Sequence, residues 1–146
     1  MNKIRTIVIG ILFLFTLESM AHDGKTTKVM EEMIQLHDLL VKESPNKFNV
    51  SKLKTLLEKG GDSKKDTEAF KKAIPLVEKL ALADSKKAKL EVYSELVETL
   101  SSTVGNHDKS GANVFYCPMV KKKWISKGEI IVNPYDKDMR NCGEKI

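Results

Sequence analysis

Both cysteines of the chain, Cys117 and Cys142, lie in its last third, and each has a methionine close by in the sequence. Met119 follows the first cysteine, and Met139 precedes the second. Thiols and thioethers gathered in one short segment indicate either a disulfide that closes the segment or a site for a soft metal ion. Either alternative requires the two cysteines to meet, so the fold has to bring residue 142 back to residue 117.

The N-terminus has the parts of an export signal. Lys3 and Arg5 supply positive charge, an almost wholly apolar run follows, and Ala21 lies at a suitable cleavage position. The apolar run is shorter than the roughly 20 residues that span a bilayer. We therefore predict a signal peptide at residues 1–21 and a mature chain that starts at His22. The product would be exported, periplasmic or secreted, and would not be embedded in the membrane after cleavage.

The net positive charge of the predicted mature chain is concentrated near its C-terminus. Residues 22–108 hold fifteen basic and fifteen acidic side chains, whereas residues 109–146 hold eight basic and four acidic ones. An exported protein rarely meets nucleic acid, so this class of partner is not expected. We interpret Lys121-Lys122-Lys123 as a solvated turn or strand edge, with a docking patch for an acidic partner as the alternative.

Residues 26–106 have the apolar periodicity of α-helices, in three or four segments. Ser44-Pro45 indicates the start of the second segment, and Gly60-Gly61 indicates its end. Pro75 lies inside the third stripe, so a kink or a restart is expected there. The first stripe contains Met30, Met33, Ile34, His37, Leu40 and Val41.

Residues 109–146, which we call the cap, have a different pattern. Short runs rich in β-branched and aromatic residues predict a small hairpin or meander. The predicted fold is therefore mainly all-α, an antiparallel three- to four-helix bundle over residues 22–108. A small C-terminal β-hairpin or irregular cysteine-containing cap would complete the same domain. The predicted strand runs are Val114-Phe115-Tyr116, Trp124-Ile125 and Ile130-Ile131-Val132.

The spacing of the four sulfur residues leaves both alternatives open. A disulfide between Cys117 and Cys142 would stabilise the cap by about 3.5 kcal/mol in the chain-entropy model. Alternatively, Met119 would share a side with Cys117 in an extended segment, and Met139 would share a side with Cys142 in a helical turn. Two such pairs would suit Cu(I), whereas zinc would need help from His107.

The three histidines offer weaker sites. A terminal His22 could chelate Cu(II) with its amine and imidazole, although a chance histidine in a disordered terminus is the simpler interpretation. His37 follows two methionines on one helix face, which could hold copper or a haem iron. A buried, hydrogen-bonded histidine is the more common case. His107 is an additional ligand or the polar end of a helix.

No catalytic motif is found in the sequence. H-E-x-x-H, G-x-S-x-G, a P-loop and a dinucleotide fingerprint are all missing, as is C-x-x-C-H for covalent haem. A second cysteine in an oxidising compartment disfavours a free cysteine nucleophile. We therefore predict that the chain is not an enzyme.

The cap resembles the C-terminal signature of an uncharacterised family of exported bacterial domains, domain of unknown function 3347. The shared pattern is C-P-M, W, N-P-Y and M-x-x-C-G. Such domains occur alone or joined to periplasmic adaptor subunits of heavy-metal efflux pumps. The resemblance implies Cu(I) or Ag(I) handling, with an adaptor or another efflux subunit as partner and Cys117, Met119, Met139 and Cys142 as ligands. The alternative is a non-enzymatic structural or protein-interaction domain closed by a Cys117–Cys142 disulfide. The matching residues are Cys117-Pro118-Met119, Trp124, Asn133-Pro134-Tyr135 and Met139 to Gly143.

Overall fold

The computed structural model describes residues 24–146, so the predicted signal peptide and His22 lie outside the described residues. The chain is mainly helical, with a small three-stranded antiparallel sheet and one disulfide bond. Within this range, no helix combines the length and the apolar character needed to cross a membrane. The helices are α1 (Lys25–Val41), α2 (Val50–Glu58), α3 (Lys64–Leu82) and α4 (Lys86–Leu100), and the strands are β1 (Ala112–Cys117), β2 (Lys122–Lys127) and β3 (Glu144–Lys145).

Helix α1 buries the face that its sequence predicts, including Met30, Met33 and His37. Its first turn is capped from a distant part of the chain. The carboxylate of Asp62 accepts hydrogen bonds from the backbone N–H groups of Thr26 at 2.8 Å and Lys25 at 3.2 Å. Burial raises the pKa of Asp62, but these hydrogen bonds outweigh it and hold the pKa below its usual value. The hydrogen bonds from Asp62 therefore fix the start of α1 against the loop before α3.

Helix α2 begins later than the sequence predicts. The prediction that Ser44 and Pro45 start this helix is wrong, because Pro45 begins only a 3-10 turn that ends at Lys47. Phe48 then takes an extended conformation and is buried, which prevents the helix from continuing through it. Asn49 is the actual N-cap, and its side chain accepts a hydrogen bond from the N–H of Lys52 at 3.0 Å.

Helix α3 runs through Pro75 without a restart. A proline inside a helix removes the hydrogen bond to the carbonyl four residues earlier, here that of Lys71. Both residues are exposed, so water can satisfy this carbonyl. Helix α3 packs against α2 and α4, while the sheet packs mainly on α1 and α4.

The predicted β-hairpin is present as β1 and β2, but the third strand differs from the prediction. The sheet order is β2-β1-β3, and β1 is antiparallel to both neighbours. Ile130-Ile131-Val132 forms no strand, and Glu144–Lys145 pairs with β1 instead. The outer edge of β2 is occupied by side chains. The hydroxyl of Tyr93 accepts from the N–H of Ile125 and donates to its carbonyl, each at 3.0 Å.

Removing this hydroxyl tests its role. We expect Tyr93→Phe to lower the free energy of unfolding by about 2 kcal/mol, because two buried backbone groups of Ile125 lose their partner. Urea denaturation measures the change. Tyr135→Phe is the comparison variant, since its hydroxyl bonds one backbone group, the carbonyl of Lys123, and otherwise only the side chain of Ser94. A cost for Tyr93→Phe no larger than that of the comparison variant would contradict this role.

Candidate functional site

The two cysteines are joined in a disulfide, as one of the two predictions required. Cys117 ends β1, Cys142 precedes β3, and their Cα atoms are 5.4 Å apart. The side chain of Cys117 is fully buried, whereas that of Cys142 is half-buried. In this oxidation state neither sulfur is a thiolate, and thiolates are the form in which cysteine binds soft metals.

The two methionines are placed differently from each other. Strand β1 ends at Cys117, and the next four residues form a turn, so Met119 is 70% exposed at its tip while Cys117 is buried. The extended geometry that would place these two side chains on one side is therefore absent. Met139 is half-buried, and its carbonyl accepts a hydrogen bond from the N–H of Cys142 at 2.9 Å. The predicted turn between these two residues is present.

Trp124 and Gly143 form the packed centre of the cap. The ring of Trp124 is fully buried and stacks on Phe115, with ring centroids 5.8 Å apart. A Cβ atom added to Gly143 would lie 2.4 Å from Cη2 of Trp124 and 3.1 Å from a methyl carbon of Ile131. Since ordinary carbon contacts are about 3.5–4.0 Å, only glycine allows this approach. These two residues are thus explained by packing.

Asn133 and Tyr135 also have structural roles. The side chain of Asn133 is fully buried, and its carbonyl oxygen accepts from the N–H of Tyr135 at 2.9 Å. The hydroxyl of Tyr135 donates to the carbonyl of Lys123 at 2.6 Å, and its ring lies 6.2 Å from that of Tyr93. This part of the cap is therefore tied to both β2 and α4.

Three side chains fasten the cap to the C-terminal end of α1. Nε2–H of His37 donates to the carbonyl of Val132 at 2.8 Å. The guanidinium of Arg140 donates to the carbonyl of Val41, the last residue of α1, and to that of Asn133. A third link involves Glu43, whose carboxylate pairs with Lys137 at 2.6 Å and with Lys86 at 2.7 Å. Hydrogen bonds from Lys137, which has the larger effect, and from Lys86 lower the pKa of Glu43 to about 2.

His37 is thus a buried, hydrogen-bonded histidine, and the bond to Val132 fixes a proton on Nε2. Nδ1 lies 3.2 Å from the carboxylate of Asp38. Burial lowers the pKa of His37 below its usual value of 6.5, although the contacts with Val132 and Asp38 oppose this shift and Arg140 adds to it. The folded protein therefore holds the ring in its neutral form more strongly than the unfolded chain does.

This shift predicts a pH dependence of stability. Because the folded-state pKa of His37 lies below the unfolded value, its contribution is present above about pH 6.5 and is lost as the pH falls through the folded pKa. We expect His37→Gln to reduce the loss of unfolding free energy between pH 7.5 and pH 5, measured by urea denaturation. Gln35→Ala, at an exposed and uncharged residue of the same helix, is the control and should keep the wild-type slope. An unchanged slope in His37→Gln would contradict the assignment.

His107 lies away from the sulfur residues. It interacts electrostatically with Asp62, whose side chain hydrogen-bonds to the N-terminal end of α1. The cap is held instead to the C-terminal end of that helix. In the part of the chain that the structure describes, no three side chains of histidine, cysteine, aspartate or glutamate are grouped to hold a metal ion. The structure thus does not bring His107 to the cysteines.

The run Lys121-Lys122-Lys123 occupies a turn and a strand edge, as predicted. Lys121 has a positive φ of 53° and closes the turn after Met119, and Lys122 and Lys123 begin β2. Lys123 pairs with Glu98 of α4 at 2.9 Å. Next to them, a groove of about 700 Å³ between α3 and α4 is lined mainly by charged side chains. The turn therefore combines one exposed apolar side chain with adjacent positive charge.

Comparison with known proteins adds no assignment. No protein-family model matches the chain, no curated protein matches it, and no solved structure matches it. The resemblance of the cap motif to domain of unknown function 3347 therefore stays an expectation.

Proposed function

We propose that the chain is a non-enzymatic protein-interaction domain whose cap is closed by the Cys117–Cys142 disulfide. In this proposal the helices form one antiparallel bundle that carries the cap, and the turn at Pro118–Lys121 meets an acidic surface of a partner protein. The observation that supports it is the division of the cap. Phe115, Cys117 and Trp124 are buried in the interior, whereas Met119 and Lys121 face solvent.

The burial of Cys117 favours a structural role for the disulfide. An external thiolate reaches the half-buried Cys142 more easily, and its attack would release Cys117 as a thiolate in a fully buried position. Burial disfavours that charged leaving group. A bond of this kind suits an oxidising compartment. Export by a cleaved signal peptide and a periplasmic location belong to the same proposal.

A site-specific crosslink tests the interaction. A photoreactive residue at position 119 should give a discrete crosslinked product in the native compartment. The same residue at position 65, exposed at the start of α3, should not. Lys121→Glu with Lys122→Glu should abolish the product, because the partner surface is acidic. Equal products at both positions, or a product insensitive to charge reversal, would rule out the turn as the docking site.

A second candidate function is a soft-metal module for Cu(I) or Ag(I) in a heavy-metal efflux or homeostasis system. The observation that favours it is the meeting of Cys117 and Cys142, with Met139 in the turn before Cys142. Reduction would turn the two sulfurs into thiolate ligands, with Met119 and Met139 as thioether ligands. A periplasmic adaptor or another efflux subunit would be the partner.

Two measurements separate the candidates. The intact mass of protein from the native compartment, before and after thiol alkylation, gives the oxidation state, because the disulfide form is about 2 Da lighter and does not alkylate. Reduced protein is then titrated with Cu(I) against a chelator of moderate affinity. The metal proposal expects one ion to be retained and expects Met139→Leu to weaken retention. Failure of the reduced protein to compete would end it.

A further inference from the structure

We propose that Met119 is a modification site, at which two-electron oxidants such as hydrogen peroxide or hypochlorite convert the thioether to a sulfoxide. Among the described residues, Met119 is the only methionine whose side chain is mainly exposed, at 70%. It lies at the tip of the turn between β1 and β2, with an exposed proline before it. Oxidation of Met119 requires neither of the functions proposed above.

The fold protects the other described sulfurs. Met30 and Met33 are fully buried in the core under α1. Met139 is half-buried in the turn before Cys142. The sulfur of Cys117 is already in a disulfide and has no exposure. An oxidant in solution therefore meets Met119 first, since susceptibility to oxidation follows exposure.

Oxidation of Met119 needs only the thioether and the oxidant, and no other group of the protein takes part. A lone pair of the sulfur attacks one oxygen of the peroxide, and the O–O bond breaks. The proton on the attacked oxygen passes through water to the second oxygen, which leaves as water. Sulfur is oxidised by two electrons, and the peroxide is reduced by the same two. With hypochlorite, chloride is the leaving group. Lys121 and Lys122 provide positive charge next to the turn and favour the approach of such an anionic oxidant.

The exposure of Met119 also determines the consequence of oxidation. A sulfoxide is polar and disrupts a core when it forms in an apolar interior. At position 119 the new oxygen is solvated by water, so the fold should be unaffected. The tip of the turn changes from apolar to polar, which alters the surface there without altering the helices or the disulfide.

Limited oxidation of the folded mature protein with hydrogen peroxide, followed by peptide mass mapping, tests this inference. We expect a gain of about 16 Da at Met119 roughly tenfold faster than at Met30 and Met33, with no change in Tm. Met119→Leu should remove the fast phase, whereas Met139→Leu should retain it. In urea the rates should become similar. Equal rates in the folded protein, a fast phase that maps to Met139, or a fall in Tm with the first oxygen would overturn it.

Discussion

Replacing both Cys117 and Cys142 with alanine should lower the free energy of unfolding by about 3.5 kcal/mol. The two residues are 25 positions apart, and the bond restricts the unfolded chain over the whole intervening segment. The bond also joins the end of β1 to the segment that leads into β3, a strand of only two residues. Urea denaturation of the oxidised wild type and of the double variant measures the difference.

A reduction experiment provides the control for this prediction. A reductant should lower the stability of the wild type to nearly that of the double variant and should leave the variant unchanged. The helices should keep their far-ultraviolet circular dichroism, because the loss is expected first in the cap. A double variant as stable as the oxidised wild type would show that the disulfide does not hold the cap.

Gly143→Ala should cost about 3 kcal/mol, the upper end of the usual cost of overpacking a core. The added methyl group would lie 2.4 Å and 2.8 Å from two ring carbons of Trp124, whose ring is fully buried. Trp124 is the only tryptophan of the chain, so its fluorescence reports directly on the disturbed site. Urea denaturation gives the change in stability.

Two variants make this second prediction specific. Gly128→Ala places a methyl group where no atom lies within 4 Å, so it should cost only the strain of its positive φ, about 1 kcal/mol. Trp124→Leu removes the ring that the new methyl group would meet. In that background the added cost of Gly143→Ala should fall well below its cost in the wild type. Additive costs would mean that the clash with Trp124 is not the cause.

The sequence predicted the helices better than the connections between them, because the helix signals depend on residues that are close together in the chain. The stripe of α1 and the double glycine after α2 follow from short-range geometry, and both are confirmed. The start of α2 was wrong because the tertiary burial of Phe48 overrides a favourable Ser-Pro pair. The strand expected at Ile130–Val132 was wrong because β-propensity does not reveal which sheet edge is free. Tyr93 occupies one edge and β3 the other.

The candidate site was predictable in its residues but not in its contacts. The meeting of Cys117 and Cys142 followed from their being the only two cysteines in the chain. The bond from Arg140 to Val41 joins residues 99 positions apart, and no sequence pattern indicated it. The role of Gly143 depends on the position of the ring of Trp124 in three dimensions. The different exposure of Met119 and Cys117 depends on where β1 ends, which sequence patterns locate least reliably.

The tyrosine hydroxyl on the backbone of Ile125 also limits how another molecule can bind. An exposed sheet edge can accept an extended segment of a second chain, which is a common route both to peptide recognition and to aggregation. Here Tyr93 already bonds both outward backbone groups of Ile125, and Tyr135 bonds the carbonyl of Lys123. The opposite edge of the sheet is a strand of two residues. Recognition by strand addition is therefore disfavoured along β2. A partner protein that binds there would contact the side chains of the cap rather than its backbone.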